Sequence, residues 1–147
     1  MIEWTGRAAS GEIDISEVRG EQPTISQSTL HYGAQWPQNQ YSGSGPVDFG
    51  FDFSQDYHVF GAEWTNASIK FLVDDKEFHT ENIDRNMSSG APYTKNGQPF
   101  DQPFFWILNV AVGGQFFPSN EYGPAVTPDE ARQWPKPTME IDYVRKM

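Results

Sequence analysis

Short runs rich in β-branched and aromatic residues recur along the chain, separated by long stretches rich in Gly, Pro, Asn and Ser. Two of these runs, YHVFGAEW and SIKFLV, alternate apolar and polar side chains, which is the pattern of a strand with one solvent-exposed face. Strands are predicted at residues 12–18, 26–32, 57–64, 68–75, 76–82, 104–112 and 139–145. The pattern favours an all-β domain, most simply a sandwich of antiparallel sheets.

The chain has one helix signal and two clear turn signals. The segment TPDEARQW, residues 127–134, offers Thr127 as an N-cap, a proline at the first helical position and Glu130 to close a capping box. The stretches Thr65-Asn66-Ala67 and Asp74-Asp75 are typical of tight turns. We therefore expect one short peripheral helix and a three-stranded meander in the middle of the chain.

Charge and composition narrow the possible partners. The net charge is −10, which argues against nucleic acid and against an anionic membrane surface. Cysteine is absent, so disulfide frameworks and thiolate zinc sites are excluded. No apolar run reaches the length of a membrane span, and the first residues lack the basic and apolar regions of a secretory signal. Aromatic residues make up 15% of the chain and commonly line binding surfaces, so a neutral or weakly charged ligand suits this composition.

The stretch GEIDISEVRG, residues 11–20, holds three carboxylates close together. Side chains alternate between the two faces of a strand, so Glu12 and Asp14 share a face whereas Glu17 would point the other way. One β-bulge between Asp14 and Glu17 adds a residue and returns Glu17 to the face of the other two acids. Ser16, which is small and polar, is a suitable bulged position. The isoleucines that alternate with the acids would then bury the opposite face.

A strand face with these acids has two interpretations. Two glutamates, one ionised and one protonated, are what glycoside hydrolysis requires. Acid-rich strands also occur as solvated sheet edges that discourage aggregation. Spacing alone leaves both interpretations open, and the alternation with isoleucine favours the first because it gathers the acids on one side.

The acidic strand and four further segments resemble one enzyme family. Glu-Ile-Asp-Ile-Ser-Glu matches the E-x-D-x-x-E signature of glycoside hydrolase family 16, in the bulged form carried by its β-1,3-glucanase (laminarinase) members. The segments STLHY, YHVFGAEWTNASIKFLVDD, PFDQPFFWILNVAVGG and WPKPTMEIDYVR follow in order. They resemble the animal β-1,3-glucanases and the related β-1,3-glucan-binding proteins. The resemblance runs from about Ser10 to the C-terminus.

The resemblance implies a fold, a reaction and three catalytic residues. The fold would be a concanavalin-like jelly-roll sandwich whose concave sheet forms the substrate cleft. The reaction would be endo-acting hydrolysis of laminarin-type β-1,3-glucan with retention, in an extracellular, secreted protein. Glu12 would be the nucleophile and Glu17 the general acid/base, with Asp14 between them orienting the nucleophile. The alternative is a non-catalytic β-glucan recognition protein of innate immunity, and the preference between β-1,3 and mixed β-1,3-1,4 linkages stays open.

Six residues are candidates for sugar binding: Trp4, Arg7, His31, Trp36, Asn109 and Trp134. Trp4 precedes the acidic strand, where the family places a cleft tryptophan. His31 could bind the acid/base or a sugar hydroxyl, or be a structural strand histidine, and Arg7 could equally be solvated. Trp36 and Trp134 are as consistent with indoles that anchor loops as with sugar platforms. Asn109 lies in an apolar run, where a polar side chain needs a partner.

No cofactor is expected. Asp142 matches a position that binds calcium in some relatives. The other ligands there come from N-terminal parts of the domain, so we expect no calcium site in this chain.

The position of the acidic strand bears on domain organisation. In the family this strand falls near the middle of the domain, but here it begins at residue 12. Residues 1–147 are therefore expected to form the C-terminal portion of a single family 16 domain, incomplete at its N-terminus. Missing partner strands would expose sheet edges and apolar faces and remove sub-site walls, so self-association and weak hydrolysis are expected.

Overall fold

The computed structural model describes residues 7–35, 37–88, 90–114 and 116–147. The chain divides after Phe104 into two compact units, Met1–Phe104 and Phe105–Met147. The first unit contains every strand of the described chain. In the described residues no helix is long or apolar enough to cross a lipid bilayer.

The first sheet of this unit is antiparallel and follows a four-residue helix, α1 (Arg7–Ser10). Its strands pair in the order β1-β2-β3, and β4 also pairs with β2. The strands are β1 (Glu12–Val18), β2 (Ile25–Gly33), β3 (Asn39–Gly43) and β4 (Val47–Asp48). Strands β1 and β2 confirm the sequence prediction, whereas β3 and β4 were not predicted.

The second sheet is the predicted meander, with strand order β5-β6-β7. Its strands are β5 (Phe60–Trp64), β6 (Ser68–Val73) and β7 (Lys76–Asn82). Strand β5 begins three residues later than predicted at 57. Asp74 and Asp75 join β6 to β7 with φ values of 50° and 62°. Positive φ at both central residues defines a type I′ turn, whose twist matches that of the flanking strands.

The core of the first unit lies between the two sheets. Its buried residues include Leu30 and Tyr32 on β2 and Ile69 and Phe71 on β6. These positions are two apart on each strand, so each strand turns one face inward and leaves its other face outside the core. Ile13 and Ile15 of β1 pack against the same cluster, as does Phe104. The acids that alternate with these isoleucines therefore lie on the face away from the core.

Gly11 controls how the chain enters β1. It has φ +83°, and a Cβ added there would lie 2.8 Å from Pro99 Cγ and 2.9 Å from Phe104 Cζ. A side chain would be strained by the backbone conformation and would collide with two packed rings. The glycine thus allows the start of β1 to approach the core closely, immediately before Glu12.

Two strand predictions are wrong, and both concern residues at or after the boundary between the units. Residues 104–112 and 139–145 are irregular, and the described part of the second unit contains no strand. In the first segment the side chains from Phe105 to Leu108 are 50% to 77% exposed. An apolar run of this kind is stable as a strand when neighbouring strands supply hydrogen bonds and cover its faces. In the described chain no strand pairs with either run. A strand-like composition alone is therefore not enough to make these residues form strands.

The helix prediction is confirmed at its start. The second unit has two short helices, α2 (Ser119–Tyr122) and α3 (Pro128–Ala131), within its described residues. Thr127 Oγ1 accepts the N–H of Glu130 at 3.3 Å, and the Glu130 carboxylate accepts the N–H of Thr127 at 2.8 Å. This reciprocal pair is the predicted capping box. The helix ends at Ala131 rather than at residue 134.

Candidate active site

The pairing of β1 with β2 contains the predicted bulge. Asp14 pairs with Thr29, whereas Glu17 pairs with Gln27, and the register shifts between them. Two residues of β1, Ile15 and Ser16, therefore stand opposite the single residue Ser28, which is the arrangement of a β-bulge. The Ser16 hydroxyl oxygen lies 2.8 Å from that of the buried Ser26, so this bulged residue turns toward the core side.

The bulge collects the three acids on one face of the sheet. Directly opposed residues of an antiparallel pair project to the same side. Glu12 opposes His31, and the opposed partners of Asp14 and Glu17 are Thr29 and Gln27. The three partners are two apart on β2, so they share a face, and the three acids share it with them. We call this surface the acidic face.

Glu17 is held by two hydrogen bonds from β2. The Thr29 hydroxyl donates to Glu17 Oε2 at 2.8 Å, and the Gln27 side-chain amide donates to the same oxygen at 3.1 Å. Thr29 is only 8% exposed, so its hydroxyl is largely shielded from water. Both contacts require Glu17 to be on the acidic face, which confirms the consequence drawn from the bulge.

His31 lies beside Asp14 and an aromatic ring. Its Nε2 is 3.4 Å from Asp14 Oδ2, and both side chains are partly buried. On the next strand Tyr41 pairs with His31, and the two ring centroids are 5.9 Å apart. Glu12, His31 and Tyr41 thus form one row across three strands. Tyr41 is 72% exposed, so its ring is available to a ligand that lies along this face.

A cavity of about 340 Å³ lies beside one end of the acidic face. Its lining includes Ala9, three residues before Glu12, and Gly33, two residues after His31. Ser88 and Tyr93 also contribute to the lining. The volume is at the lower end of the range of ~300–1,000 Å³ found for small-molecule sites.

Among the predicted sugar-binding residues whose side chains the structure describes in the first unit, His31 lies beside the acids. Trp4 and Trp36 lie outside the described residues, as does the side chain of Arg7, whose backbone begins α1. Asn109 and Trp134 belong to the second unit and are exposed there, Trp134 to 40%. The roles of these residues stay predictions.

The described residues also contain no cluster of three or more His, Asp or Glu side chains arranged to hold a metal ion. Asp142 is exposed in the irregular C-terminal segment of the second unit.

Sequence reasoning missed three residues of the acidic face: Thr29, Gln27 and Tyr41. The first two could have been found, because they alternate with His31 on the strand expected to pair with β1. Tyr41 was harder to find because β3, with the sequence NQYSG, is made largely of residues with low strand propensity.

The sequence of the chain matches the family model of the glycosyl hydrolases family 16 over residues 2–143. The chain belongs to this family. The match covers nearly the whole sequence and includes the acidic strand. It confirms the family resemblance that the acidic strand and the later segments suggested.

Three curated relatives are similar to the chain over most of its length. A glucan endo-1,3-beta-glucosidase of Cryptopygus antarcticus is 45% identical over 144 residues, which are 98% of this chain and 52% of the relative. A beta-1,3-glucan-binding protein of Penaeus monodon is 31% identical, covering 93% of this chain and 49% of the relative. A beta-glucanase of Rhodothermus marinus is 33% identical, covering 92% of this chain and 44% of the relative. The chain therefore spans about half the length of these relatives.

A solved family 16 structure agrees with the described fold. It is a Bacteroides ovatus mixed-linkage glucan protein in complex with a G4G4G3G product. The TM-score is 0.50 at 23% identity, and the superposition covers 57% of this chain and 37% of that chain. This likeness concerns the fold, and with the antiparallel sheets described above it confirms the prediction of an all-β jelly-roll class.

Proposed function

We propose that the acidic face hydrolyses internal β-1,3-glucosidic bonds with retention of configuration. The bulge is the observation that carries this proposal, because it places Glu12, Asp14 and Glu17 on one face despite their odd spacing. The name of the Cryptopygus relative, a glucan endo-1,3-beta-glucosidase, supports the choice of β-1,3-glucan as substrate. Family membership also favours an extracellular protein that meets this polysaccharide outside the cell.

In the proposed reaction Glu12 and Glu17 act in two steps. A Glu12 carboxylate oxygen bonds to the anomeric carbon as the bond from that carbon to the glycosidic oxygen breaks, and the departing oxygen takes the proton of Glu17. Glu17 then accepts a proton from a water molecule, whose oxygen displaces Glu12 from the anomeric carbon. A retaining pair of this kind has carboxyl groups about 5–5.5 Å apart.

Asp14 and the residues around it would orient the nucleophile and the sugar. Asp14 lies between the two glutamates on the acidic face, and His31 Nε2 lies 3.4 Å from its carboxylate. We assign His31 to holding Asp14 and to binding a sugar hydroxyl. Tyr41 supplies a flat, exposed ring beside His31, on which the apolar face of a glucose unit can stack. The adjacent cavity has room for part of the glucan chain.

The second candidate function is glucan recognition without hydrolysis. It is favoured by the similarity to the Penaeus protein, which is named a beta-1,3-glucan-binding protein. The presence of both glutamates in the acidic strand favours the enzyme over this alternative. Under the recognition function the chain would bind laminarin and release no reducing sugar.

Two assays separate these functions and assign the two glutamates. Reducing-sugar release from laminarin and from mixed-linkage glucan tests hydrolysis and linkage preference. Azide rescue of Glu12→Ala and Glu17→Ala, with an activated aryl β-laminaribioside, then tests the roles. Azide should give the α-glycosyl azide with Glu12→Ala, because it replaces the nucleophile. It should give the β-glycosyl azide with Glu17→Ala, because it attacks the covalent intermediate.

The control is Glu21→Ala, which removes an exposed carboxylate in the turn after β1. This variant should retain wild-type release and should give no glycosyl azide. Laminarin binding without release by the wild-type chain would instead support the recognition function. An inverted first product would contradict the retaining mechanism.

A further inference from the structure

The two hydrogen bonds on Glu17 converge on one carboxylate oxygen. Thr29 Oγ1 and Gln27 Nε2 both donate to Oε2, at 2.8 Å and 3.1 Å. Neither bond goes to Oε1. The carboxyl group is therefore held asymmetrically, with one oxygen bound to β2 and the other directed away from these donors.

The bulge explains why both donors reach the same oxygen. Gln27 is the direct partner of Glu17 in the ladder, whereas Thr29 is the direct partner of Asp14. The extra residue of β1 leaves Glu17 on the same face as these side chains, one step beyond Asp14, so the Thr29 hydroxyl can reach across to it. Because Thr29 is 8% exposed, water competes weakly for this hydrogen bond.

The asymmetry determines where a proton can sit on Glu17. An oxygen that accepts two hydrogen bonds serves well as a carboxylate oxygen or as the carbonyl oxygen of a neutral carboxyl. If Oε2 carried the proton, its O–H would face the N–H of Gln27, which can only donate, and the Thr29 hydroxyl would have to turn from donor to acceptor. Both present hydrogen bonds to Oε2 would then be lost. The acid proton therefore belongs on Oε1 in the neutral form, and the two donors stay in place in both protonation states.

We propose that Thr29, assisted by Gln27, is a positioning residue that presents Oε1 of Glu17 as the proton-donating oxygen of the acid/base. The inference rests on the proposed function, since it refines the role of Glu17 in that reaction. Without the hydroxyl the carboxyl group can rotate about its terminal bond, and the proton then points along the glycosidic oxygen for a smaller fraction of the time. Loss of the hydroxyl should therefore lower the rate of a step that needs an acid and leave the rate of a step that needs none unchanged.

Two covalent probes of Glu12 separate these steps. A 2,4-dinitrophenyl 2-deoxy-2-fluoro-β-laminaribioside esterifies Glu12 as dinitrophenolate leaves as a stable anion, so no acid is needed. An epoxyalkyl β-laminaribioside esterifies Glu12 by opening its epoxide, whose oxygen takes the Glu17 proton as the carbon–oxygen bond breaks. The chain gains the mass of the fluoro-glycosyl group with the first probe and the mass of the whole inhibitor with the second, so intact-mass spectrometry follows both rates even when turnover is slow.

The decisive variant is Thr29→Val, which keeps the shape of the side chain and removes its hydroxyl. We expect epoxide labelling to slow about tenfold while fluoro-sugar labelling stays within about twofold of wild type. Thr29→Ser retains the hydroxyl and should restore epoxide labelling to within about threefold of wild type. Fluoro-sugar labelling also reports whether each variant is folded at the acidic face.

The outcomes separate a failure of the positioning role of Thr29 from a failure of the proposed hydrolysis. Equal slowing with both probes, or no slowing with either, would show that Thr29 is merely structural or irrelevant and would overturn the positioning role. Glu17→Ala must lose epoxide labelling and keep fluoro-sugar labelling if Glu17 is the acid. If that variant treats the probes alike, or if the wild-type chain takes neither, the proposed function fails and the positioning role fails with it.

Discussion

At the residue scale, Asp74 links the turn of the second sheet to the segment before β5. Its Oδ2 lies 2.7 Å from His58 Nδ1, and its Oδ1 accepts the N–H of Val59 at 2.9 Å. His58 stacks on Phe51, with ring centroids 4.8 Å apart. The hydrogen bond with His58 and then that from the Val59 N–H hold the pKa of Asp74 below its ordinary value. Both interactions therefore stabilise the fold while Asp74 is ionised.

This lowered pKa predicts a pH dependence that can be assigned to one residue. The folded state binds fewer protons at Asp74 than the unfolded state does, so its stabilisation is fully present above about pH 4 and is lost as pH falls through the folded pKa. Asp74→Asn keeps an acceptor and tolerates positive φ but carries no charge. We expect the free energy of unfolding in urea to fall more steeply for wild type than for the variant below about pH 4.

The difference between the two plots of unfolding free energy against pH isolates the contribution of Asp74, because the other carboxylates titrate in both proteins. Its size should be modest, since the Asp74 side chain is 42% exposed and solvent screens its interactions. Parallel curves from pH 7 to about pH 2.5 would show that the contacts of Asp74 contribute nothing that depends on its charge.

The residues of the acidic face differ in how far sequence could predict them. Glu12 and Asp14 were predictable as a pair because alternation with isoleucine fixes their face, and Glu17 could be added because one bulge at a small polar residue returns it to that face. The alternation of Thr29 and Gln27 with His31 could place them on the same face, but their hydrogen bonds to Glu17 were not predictable, because those bonds depend on the register of β2 against a bulged strand. Residue type alone does not specify register.

At the element scale, the bulge makes a prediction about deletion. Ile15 and Ser16 together oppose one residue, so removing Ser16 leaves a regular strand in which Glu17 still opposes Gln27. Its side chain stays on the acidic face, although the local twist decreases. Deleting Ile13 instead breaks the alternation between Glu12 and Asp14 and turns one of them toward the core, where an unpaired carboxylate is costly.

We therefore expect the Ser16 deletion to keep fluoro-sugar labelling of Glu12 within about tenfold of wild type, and the Ile13 deletion to abolish it. Ser16→Ala controls for the lost hydrogen bond to Ser26, which should cost about 1 kcal/mol in urea unfolding. Equal inactivity of the Ser16 and Ile13 deletions would contradict this expectation. It would show that the extra residue does more than return Glu17 to the face of Glu12 and Asp14.

Two kinds of error in the strand predictions have the same origin. β3 forms from the unpromising sequence NQYSG because β2 offers it a ladder, with Thr29 opposite Gly43. A Cβ at Gly43 would lie 2.1 Å from the Ser28 carbonyl oxygen, so close pairing excludes larger residues there. Residues 104–112 have the better strand composition and form none, because no described strand pairs with them. Propensity is a local property, whereas a strand requires a neighbour.

At the scale of the whole molecule, the second unit leaves a large amount of apolar surface exposed. Its apolar run comprises Phe105, Trp106, Ile107, Leu108, Val110 and Val112, each 50% to 77% exposed. Met139, Ile141, Tyr143 and Val144 are also about half exposed. A large exposed apolar surface is uncommon in monomeric soluble proteins, and where it forms one patch it marks a site of association. The net charge of −10 opposes association by self-repulsion at low salt.

We expect the chain to self-associate through the apolar run, more strongly at high salt, because salt screens the repulsion and leaves the hydrophobic attraction. Sedimentation velocity over a concentration series should show a rising weight-average mass that Leu108→Lys with Val110→Lys reduces. The control is Gln38→Lys with Gln133→Lys, which makes the same charge change at exposed polar positions. Association that both pairs weaken equally would be electrostatic in origin, and a monomer at every concentration and salt would contradict the prediction. Association lost with the first pair alone would assign it to residues 105–112.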